Sequence, residues 1–473
     1  MKTVVRRREF LKWAGGAMAA LGLGEGAHPA ALAAAKRPPN IIFILADDFG
    51  RDWLGCYGGE EDVTPNLDQL AQGGMRFETC YCTPLCTPTR HELLTGRYPF
   101  RTGWTTHYDT PRWGGQYFDW NREITFARVL KPLGYATAVA GKWQMNDFRT
   151  HPDALARHGF DEHCLWTGFE TGNEKVSSRR YWDAFIQTNG DRKTHTGQFG
   201  PDVVSDFVLD FVRRKKDGPF LLYYPMMLIH GGLEETPDVK GQGLKKGHAL
   251  TVENVRYLDE LVGKLVATLD ELGIREETIV FFSGDNGSAD GAQAWGAKQP
   301  GGKGKVSERG VHTPLIANCP GTIPTGAVTE DLVDFSDVLP TLAELAGAPL
   351  PEGVTLDGRS FASTLQGRSG GPKRDWIYSQ LGNKRVVRDK RFSLYNDGRF
   401  YDLKADRYEE HDLSQSRAAE TAAARERLQK VLDSLPEDAK LPFEPRERGT
   451  KDSRKQGARS KRNKKTAPAA DEA

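Results

Sequence analysis

Four stretches of the chain combine a run of apolar or small residues with an abrupt polar ending. The runs cover residues 41–46, 134–141, 220–229 and 278–284. Such runs are typical of strands that are buried on both faces of a parallel sheet. The amphipathic stretch 253–272 precedes the last run and predicts a helix, so strands and helices alternate. The pattern predicts an α/β fold with a large mixed, mostly parallel sheet between helices.

The polar residues that end these runs are of types that bind ions. They are, in chain order, Asp47, Asp48, Lys142, His230, Asp285 and Asn286. Open α/β sheets bind ligands beyond the carboxyl ends of their strands, so we expect these side chains to meet there. Adjacent carboxylates repel each other unless a cation lies between them, and Ca²⁺ and Mg²⁺ prefer oxygen ligands. Taken singly, the same residues also fit an exposed acidic turn, a solvated lysine and a core-edge histidine.

Residues 86–96 read Cys-Thr-Pro-Thr-Arg-His-Glu-Leu-Leu-Thr-Gly and predict a helix start. Thr87 is a suitable N-cap, Pro88 suits the first helical position, and Gly96 ends the helix. Cys86 then lies just before the helix, where unpaired N–H groups and the helix dipole favour an anion. Arg90 lies about one turn further along and is able to reach the same point.

A glycine-rich basic loop, residues 301–305, contains Lys303 and is able to surround an anion. It is not a P-loop, because no Gly-Lys-Ser/Thr opens a helix. Together with the strand ends and the helix start, this loop predicts a divalent cation facing a cationic pocket, with a nucleophile between them.

The charge of the chain is unevenly distributed. The formal net charge of the 473 residues is +1, yet segment 446–465 alone carries ten basic and two acidic residues. The body of the chain is therefore acidic, which excludes a nucleic-acid-binding protein by composition. Residues 446–473 form a predicted disordered basic tail, either a solubilising extension or a tether to an anionic polymer.

The first 35 residues resemble a twin-arginine signal peptide. Arg6-Arg7-Arg8-Glu9-Phe10-Leu11-Lys12 precedes a weakly apolar stretch, residues 13–23, and small residues suited to cleavage follow near position 33. That stretch is too short to span a bilayer comfortably, and no later segment is apolar enough. We therefore expect an exported protein, periplasmic or secreted, without a transmembrane anchor.

Six cysteines are present, and in an exported protein an even number is compatible with disulfides. Setting Cys86 aside leaves five, so at least one stays unpaired. The spacing of Cys80, Cys82 and Cys86 matches no common zinc pattern.

These motifs together resemble the formylglycine-dependent sulfatases of the alkaline phosphatase superfamily, over roughly residues 39–413. The match includes the segment that starts at Cys86, and it extends to Tyr401-Asp402-Leu403 and Asp412-Leu413 near the C-terminus. The resemblance implies an alkaline phosphatase-like catalytic domain, residues 38–367. Alternating residues in 376–394 and an amphipathic stretch, 418–435, predict a smaller C-terminal α+β subdomain, residues 369–445.

The resemblance also implies a role for each site residue. Cys86 would be oxidised to formylglycine (3-oxoalanine) by a formylglycine-generating or radical maturase enzyme, and Arg90 would steady its hydrate. Lys142 and Lys303 would bind the sulfate, and His230 would contact the leaving-group oxygen. The ligands of Ca²⁺, with Mg²⁺ as the alternative ion, would be Asp47, Asp48, Asp285, Asn286 and the modified Cys86.

Three positions depart from the family pattern. Thr89 stands where the family often has serine, which keeps the hydroxyl. Gln144 replaces a histidine of the family's Gly-Lys-Trp-His, and glutamine does not titrate. Residues 308–314, Glu-Arg-Gly-Val-His-Thr-Pro, replace Glu-Gly-Gly-x-Arg-x-Pro near the pocket. The expected activity is hydrolysis of a sulfuric ester, with a sulfated carbohydrate as preferred substrate. The alternatives are a phosphatase, phosphodiesterase or phosphonate hydrolase of the same superfamily, and a weakly catalytic protein that binds sulfated glycans.

Overall fold

The protein is described from a computed structural model that covers residues 37–107, 117–167 and 179–443. The predicted signal peptide and the predicted basic tail lie outside the described residues. From Pro38 onwards, the described residues form one compact unit. The boundary between a catalytic domain and a C-terminal subdomain at residues 367–369 stays a prediction.

The described part of the chain contains one large sheet, one small hairpin and one small antiparallel sheet. The strands are β1 Asn40–Ala46, β2 Met75–Tyr81, β3 Ala136–Lys142, β4 Glu162–Trp166, β5 Phe185–Thr188, β6 Asp191–Thr194, β7 Phe220–Pro225, β8 Thr278–Gly284, β9 Gln293–Ala294, β10 Ala297–Lys298, β11 His312–Asn318, β12 Ala327–Thr329, β13 Val333–Asp334, β14 Ile377–Leu381, β15 Lys384–Arg388, β16 Phe392–Tyr395 and β17 Phe400–Asp402.

The helices connect these strands and cover both faces of the large sheet. They are α1 Pro65–Gln72, α2 Cys86–Thr95, α3 Pro99–Thr102, α4 Phe126–Leu130, α5 Ala154–Arg157, α6 Gly200–Lys215, α7 His248–Glu271, α8 Glu308–Val311, α9 Val338–Ala346, α10 Ala362–Leu365 and α11 Ala419–Ser434. Within the described residues, no helix has both the length and the apolar character needed to cross a membrane.

The large sheet has the strand order β12-β2-β11-β8-β1-β7-β3-β4-β5-β6, and β13 also pairs with β2. Strands β8, β1, β7, β3 and β4 are mutually parallel, whereas β11 is antiparallel to both of its neighbours. Strand β1 lies in the middle and is buried along its whole length. The prediction of a mixed, mostly parallel sheet is confirmed, and the four apolar runs supply its central strands.

Alternate residues of β1 face opposite layers, as expected for a strand. Ile42 and Ile44 pack in a core with α1, α6 and α7, while Phe43 and Leu45 pack in a second core with α2, α4 and α9. Helices therefore cover both faces of the sheet. The carboxyl ends of its strands are thereby held in fixed positions.

The small sheet, β14 to β17, is antiparallel throughout, and α11 packs on it through Leu428. The predicted strands and helix of the C-terminal region are confirmed. A buried ion pair joins this sheet to α8. Arg388 of β15 donates to Glu308 at 2.6 Å, and Glu308 also lies 2.5 Å from the ring of His312. The motif that departs from the family pattern thus anchors the segment after the glycine-rich loop.

Burial alone would raise the pKa of Glu308, but His312 and Arg388 lower it to about 2. The contribution of Glu308 to folding stability is therefore fully present above its ordinary pKa of 4.5, and it is lost as the pH falls towards 2.

We predict that Arg388→Met lowers the free energy of unfolding by about 3–5 kcal/mol, because it leaves a buried carboxylate without its cation. Arg399→Met is the matched control, since the Arg399–Asp397 pair is exposed and such pairs contribute about 0.2–1 kcal/mol. Urea unfolding at neutral pH measures both values. Equal losses in the two variants would contradict the structural role of the Arg388–Glu308 pair.

Candidate active site

The polar residues that follow the central strands meet at one edge of the sheet. Ala46 of β1 is paired with Gly284 of β8, so the residues that follow them are neighbours. The N–H of Asp285 donates to the carbonyl of Ala46 at 2.9 Å, and the N–H of Asp48 donates to Oδ1 of Asp285 at 3.0 Å. The side chains of Asp47, Asp48 and Asp285 are consequently buried side by side.

The backbone at this edge is unusually constrained. A Cβ at Gly284 would lie 1.9 Å from the carbonyl oxygen of Phe49, so only glycine allows the two loops to approach. Asp48 and Gln144 have φ angles of 58° and 65°, in the left-handed region that costs about 1–2 kcal/mol for a non-glycine residue. Strained residues of this kind concentrate at functional sites.

Each of the three carboxylates is paired with a different cation. Lys142 Nζ lies 2.6 Å from Asp47, Lys303 Nζ lies 2.5 Å from Asp48, and Arg90 lies 2.7 Å from Asp285. Lys142, the last residue of β3, and Arg90, on α2, are buried, whereas the Lys303 side chain is 24% exposed. The lysine of the glycine-rich loop is therefore the cation of this group that solvent reaches.

The two aspartates at the strand ends have opposite pKa shifts. Burial raises the pKa of Asp285 well above its usual range, and the charge of Asp47 raises it further. Burial also acts to raise the pKa of Asp47, but Lys142, His230 and Arg90 outweigh it and lower that pKa far below its usual range. Repulsion between the two carboxylates thus remains, and a bound divalent cation would remove it.

The side chains present fit a divalent metal ion. Asp47 Oδ1 and Asn286 Oδ1 are buried and have no hydrogen-bond partner among the described residues. One ligand atom from each of Asp47, Cys86 and Asp285 lies within 4.8 Å of the others, and the same holds for Asp47, Asp48 and His230. Carboxylate and amide oxygens are ligands typical of Ca²⁺ and Mg²⁺.

Helix α2 begins two residues earlier than the sequence pattern predicts. Cys86 is its first residue, and the preceding Leu85 is the N-cap, so Thr87 is not the cap. The hydroxyl of Thr87 instead lies 2.7 Å from Nδ1 of His107. The predicted end at Gly96 is confirmed. Arg90 donates to the carbonyl of Lys142 at 2.8 Å, so the helix is fixed to the end of β3 as well as to Asp285.

Two side chains contact Cys86 directly. Its Sγ lies 3.5 Å from Oε1 of Gln144 and 3.9 Å from Nδ1 of His107. His107 was not predicted, because it lies in an irregular segment without periodicity or a motif. Its only sequence signal is its chemical type and its position shortly after the helix. Thr89, by contrast, donates its buried hydroxyl to the carbonyl of Thr83 at 2.8 Å, so that hydroxyl supports the loop before the helix.

His230 and Lys303 approach Asp48 from the solvent side. His230 Nε2 lies 4.0 Å from Asp48 Oδ2, five residues beyond the end of β7. Burial and then Lys142 lower the pKa of His230 well below its usual range. Burial acts to lower the pKa of Lys303, but Asp48 outweighs it and raises that pKa. Burial and the nearby cations thus oppose a positive charge on the imidazole, whereas Asp48 stabilises the positive charge of the lysine.

The remaining cysteines do not form a second centre. None of the six forms a disulfide, and Cys82 donates to the carbonyl of Val311 at 3.4 Å. Cys80 and Cys82 belong to no group of potential metal ligands in the described part of the chain.

Comparison with known proteins agrees with this geometry. The sulfatase family model matches residues 39–348. The chain is 34% identical over 382 residues to arylsulfatase A of Homo sapiens, covering 73% of this chain and 71% of that protein. It is 33% identical over 362 residues to N-acetylgalactosamine-6-sulfatase of Rattus norvegicus, covering 70% and 67%.

A solved structure has the same architecture. The crystal structure of Ps i-CgsB in complex with k-i-k-neocarrahexaose superposes with a TM-score of 0.73 at 25% identity, covering 91% of this chain and 99% of that one. The sheet, the matched residues and the identity to curated relatives lead to one conclusion. The chain belongs to the sulfatase family of the alkaline phosphatase superfamily and is an enzyme that hydrolyses sulfate esters.

Proposed function

We propose that this sulfatase releases sulfate from a sulfated carbohydrate, using a formylglycine made from Cys86 and a bound Ca²⁺, for which Mg²⁺ is the alternative. The observation that carries the proposal is the position of Cys86. It opens a buried helix and lies in one cluster with Asp47 and Asp285. A structural cysteine would not need these two carboxylates beside it.

The carbohydrate preference rests on the relatives. One curated relative is named for an N-acetylgalactosamine sulfate, and Ps i-CgsB was crystallised with a neocarrahexaose. The predicted twin-arginine signal supports the same substrate class, since an exported enzyme meets polysaccharides outside the cell. A maturase that converts Cys86 is the partner that this proposal requires.

In this proposal, each residue of the site has a separate role in sulfate ester hydrolysis. When present, a hydrated formylglycine supplies a hydroxyl nucleophile, and the divalent cation favours its ionised form. Lys142 and Lys303 are placed to neutralise charge on the sulfate oxygens, and Lys303 is the one that solvent reaches. Arg90, held by Asp285, fixes the helix that carries position 86.

Proton transfer needs a group other than Gln144, whose amide does not titrate. His107 Nδ1 faces both Cys86 Sγ and the Thr87 hydroxyl, so it is placed to hold a proton beside position 86. His230, on the opposite side near Asp48, is placed to contact the leaving-group oxygen.

We predict that enzyme produced with a formylglycine-generating enzyme carries an aldehyde at position 86. Mass spectrometry of the peptide containing Cys86 would show the lighter oxidised residue, and Cys86→Ala would lose sulfatase activity. Cys164→Ala is the matched control, because Cys164 is a buried thiol of β4 outside the site. An intact thiol in fully active enzyme would contradict the nucleophile. Faster turnover of phosphate esters than of sulfate esters would favour the phosphatase alternative.

We predict that Ca²⁺ raises the melting temperature of the protein and that Asp47→Asn abolishes this response. Ligand at about 100 times its Kd stabilises a protein by roughly 2.7 kcal/mol, which a thermal-shift assay detects. Asp52→Asn is the control, since Asp52 follows the same strand but lies outside the ligand clusters. A response that is absent in the wild-type protein, or unchanged in Asp47→Asn, would argue against the metal site.

We predict that His107→Ala lowers kcat for an aryl sulfate by roughly 10²–10⁴-fold, the usual effect of losing a general acid–base group. The double variant His107→Ala/Gln144→His should recover much of this loss, because it returns an imidazole to the side of Cys86. His195→Ala removes a half-buried histidine outside the site and serves as control. The extent of Cys86 conversion must be measured in each variant. Full activity of His107→Ala at equal conversion would exclude this role.

A further inference from the structure

A second cleft lies outside the cluster around Cys86. Its volume is about 870 Å³, within the range of about 300–1,000 Å³ that is typical of ligand pockets. Its walls come from β2, from the hairpin β9–β10 and from the C-terminal sheet. It shares no lining residue with the carboxylates, lysines and helix start of the active site.

The cleft has an excess of positive charge. Six basic side chains line it: Arg51, Arg76, Lys390, Arg391, Lys404 and Arg407. Three acidic side chains, Glu78, Glu308 and Glu330, line it as well. Glu78 is paired with Arg51 and Arg76, and Glu308 is paired with Arg388.

Three of these cations, Lys390, Lys404 and Arg407, form no ion pair with any residue that the structure describes. Arg407 nevertheless lies near the carboxylates of Asp52 and Glu308, which act to raise its pKa. Burial and the nearby Arg51 lower the pKa of Arg407, so the two guanidinium groups lie close enough to repel each other. An anionic ligand in the cleft would relieve this repulsion.

An exposed tryptophan lies beside these cations. Trp295 and Gly296 form the two-residue turn between β9 and β10, with φ angles of 51° and 75°. Turns of this type favour Asn-Gly, because both positions need a positive φ. A tryptophan at such a position adopts an unfavourable backbone conformation, and 37% of its surface nevertheless stays exposed.

The indole is nevertheless held in place. The guanidinium of Arg407 lies 3.7 Å from the centre of the Trp295 ring, and Gly58 lies beneath the indole nitrogen. A Cβ at Gly58 would lie 2.2 Å from that nitrogen, so glycine is required there. The result is a fixed aromatic side chain that Arg407 covers on one face and that is 37% exposed, next to two lysines, Lys390 and Lys404, that form no ion pair among the described residues. The exposed part of the indole and these lysines are the combination that a sulfated sugar needs. Sugar rings pack on aromatic faces, and sulfate groups pair with lysine and arginine.

We propose that this cleft binds a sulfated part of the carbohydrate substrate away from the ester that is cleaved, and so is a second saccharide-binding site. The proposal rests on the proposed carbohydrate substrate. It implies that the enzyme acts on chains that carry several sulfate groups, with one part held in the cleft while another enters the active site.

Binding should be measured by calorimetry with the full chain carrying Cys86→Ala, so that no turnover occurs. The probes are a size-defined dextran sulfate, unsulfated dextran and polyphosphate of matched charge. We expect dextran sulfate to bind best, and we expect Lys390→Ala/Lys404→Ala and Trp295→Asn each to weaken its binding roughly tenfold. Asparagine suits the turn, so Trp295→Asn should fold well.

Lys193→Ala/Arg213→Ala is the matched control, because it removes two exposed cations, one from β6 at the opposite edge of the sheet and one from α6. Unchanged binding by Trp295→Asn, equal weakening by this control, or equally tight polyphosphate binding would each overturn the proposal. In the active enzyme, the cleft variants should raise KM for a sulfated oligosaccharide roughly tenfold and leave kcat unchanged. Failure to hydrolyse any aryl sulfate would instead refute the proposed function, and the binding measurement would still decide about the cleft.

Discussion

Three carboxylates are buried side by side where the central strands of the sheet end, and the rest of the site is arranged around their charge. Water does not stabilise Asp47, Asp48 and Asp285 there, so the chain must supply positive charge. It does so from three different elements: α2, β3 and the glycine-rich loop. Since unpaired buried charges are far more costly than paired ones, these elements are held at fixed distances from one another.

That constraint explains why a helix start, and not a loop, carries position 86. Arg90 must be buried to reach Asp285, and it also donates to the carbonyl of Lys142. Both bonds fix the first turn of α2, and Cys86 lies in that turn. Position 86, the proposed nucleophile position, is therefore fixed by ion-pair and hydrogen-bond contacts in addition to the helix dipole. Gln144 and His107 are the two side chains that could respond to the chemistry at Cys86, and only the imidazole is able to exchange a proton.

Strands β1 and β8 could be predicted almost residue by residue, because a short apolar run that ends in charged residues is typical of a buried parallel strand. The run 220–229 was less exact, since β7 ends at Pro225 and the apolar residues continue into the loop. Strand β8 has the predicted bounds, and Asp285 and Asn286, the residues proposed to bind the metal ion, follow it directly. Local sequence patterns were less informative where a contact with a residue distant in sequence determines the local structure. Thr87 is a good N-cap by type, yet its hydroxyl is used by His107, and Leu85 takes the cap position. His107 itself and the cleft around Trp295 could not be predicted, since neither belongs to a periodic segment and their partners are distant in sequence.

The C-terminal sheet is more than a support for the catalytic part. Glu308 connects α8 to Arg388 of that sheet, and α8 follows the loop that carries Lys303. The same segment lines the second cleft, together with Arg407 from the loop after β17. Glu308 is therefore shared by the cleft, the C-terminal sheet and a segment only five residues from Lys303, the lysine proposed to bind sulfate. The cleft, the C-terminal sheet and the loop of Lys303 are thus connected through one buried ion pair and one short helix.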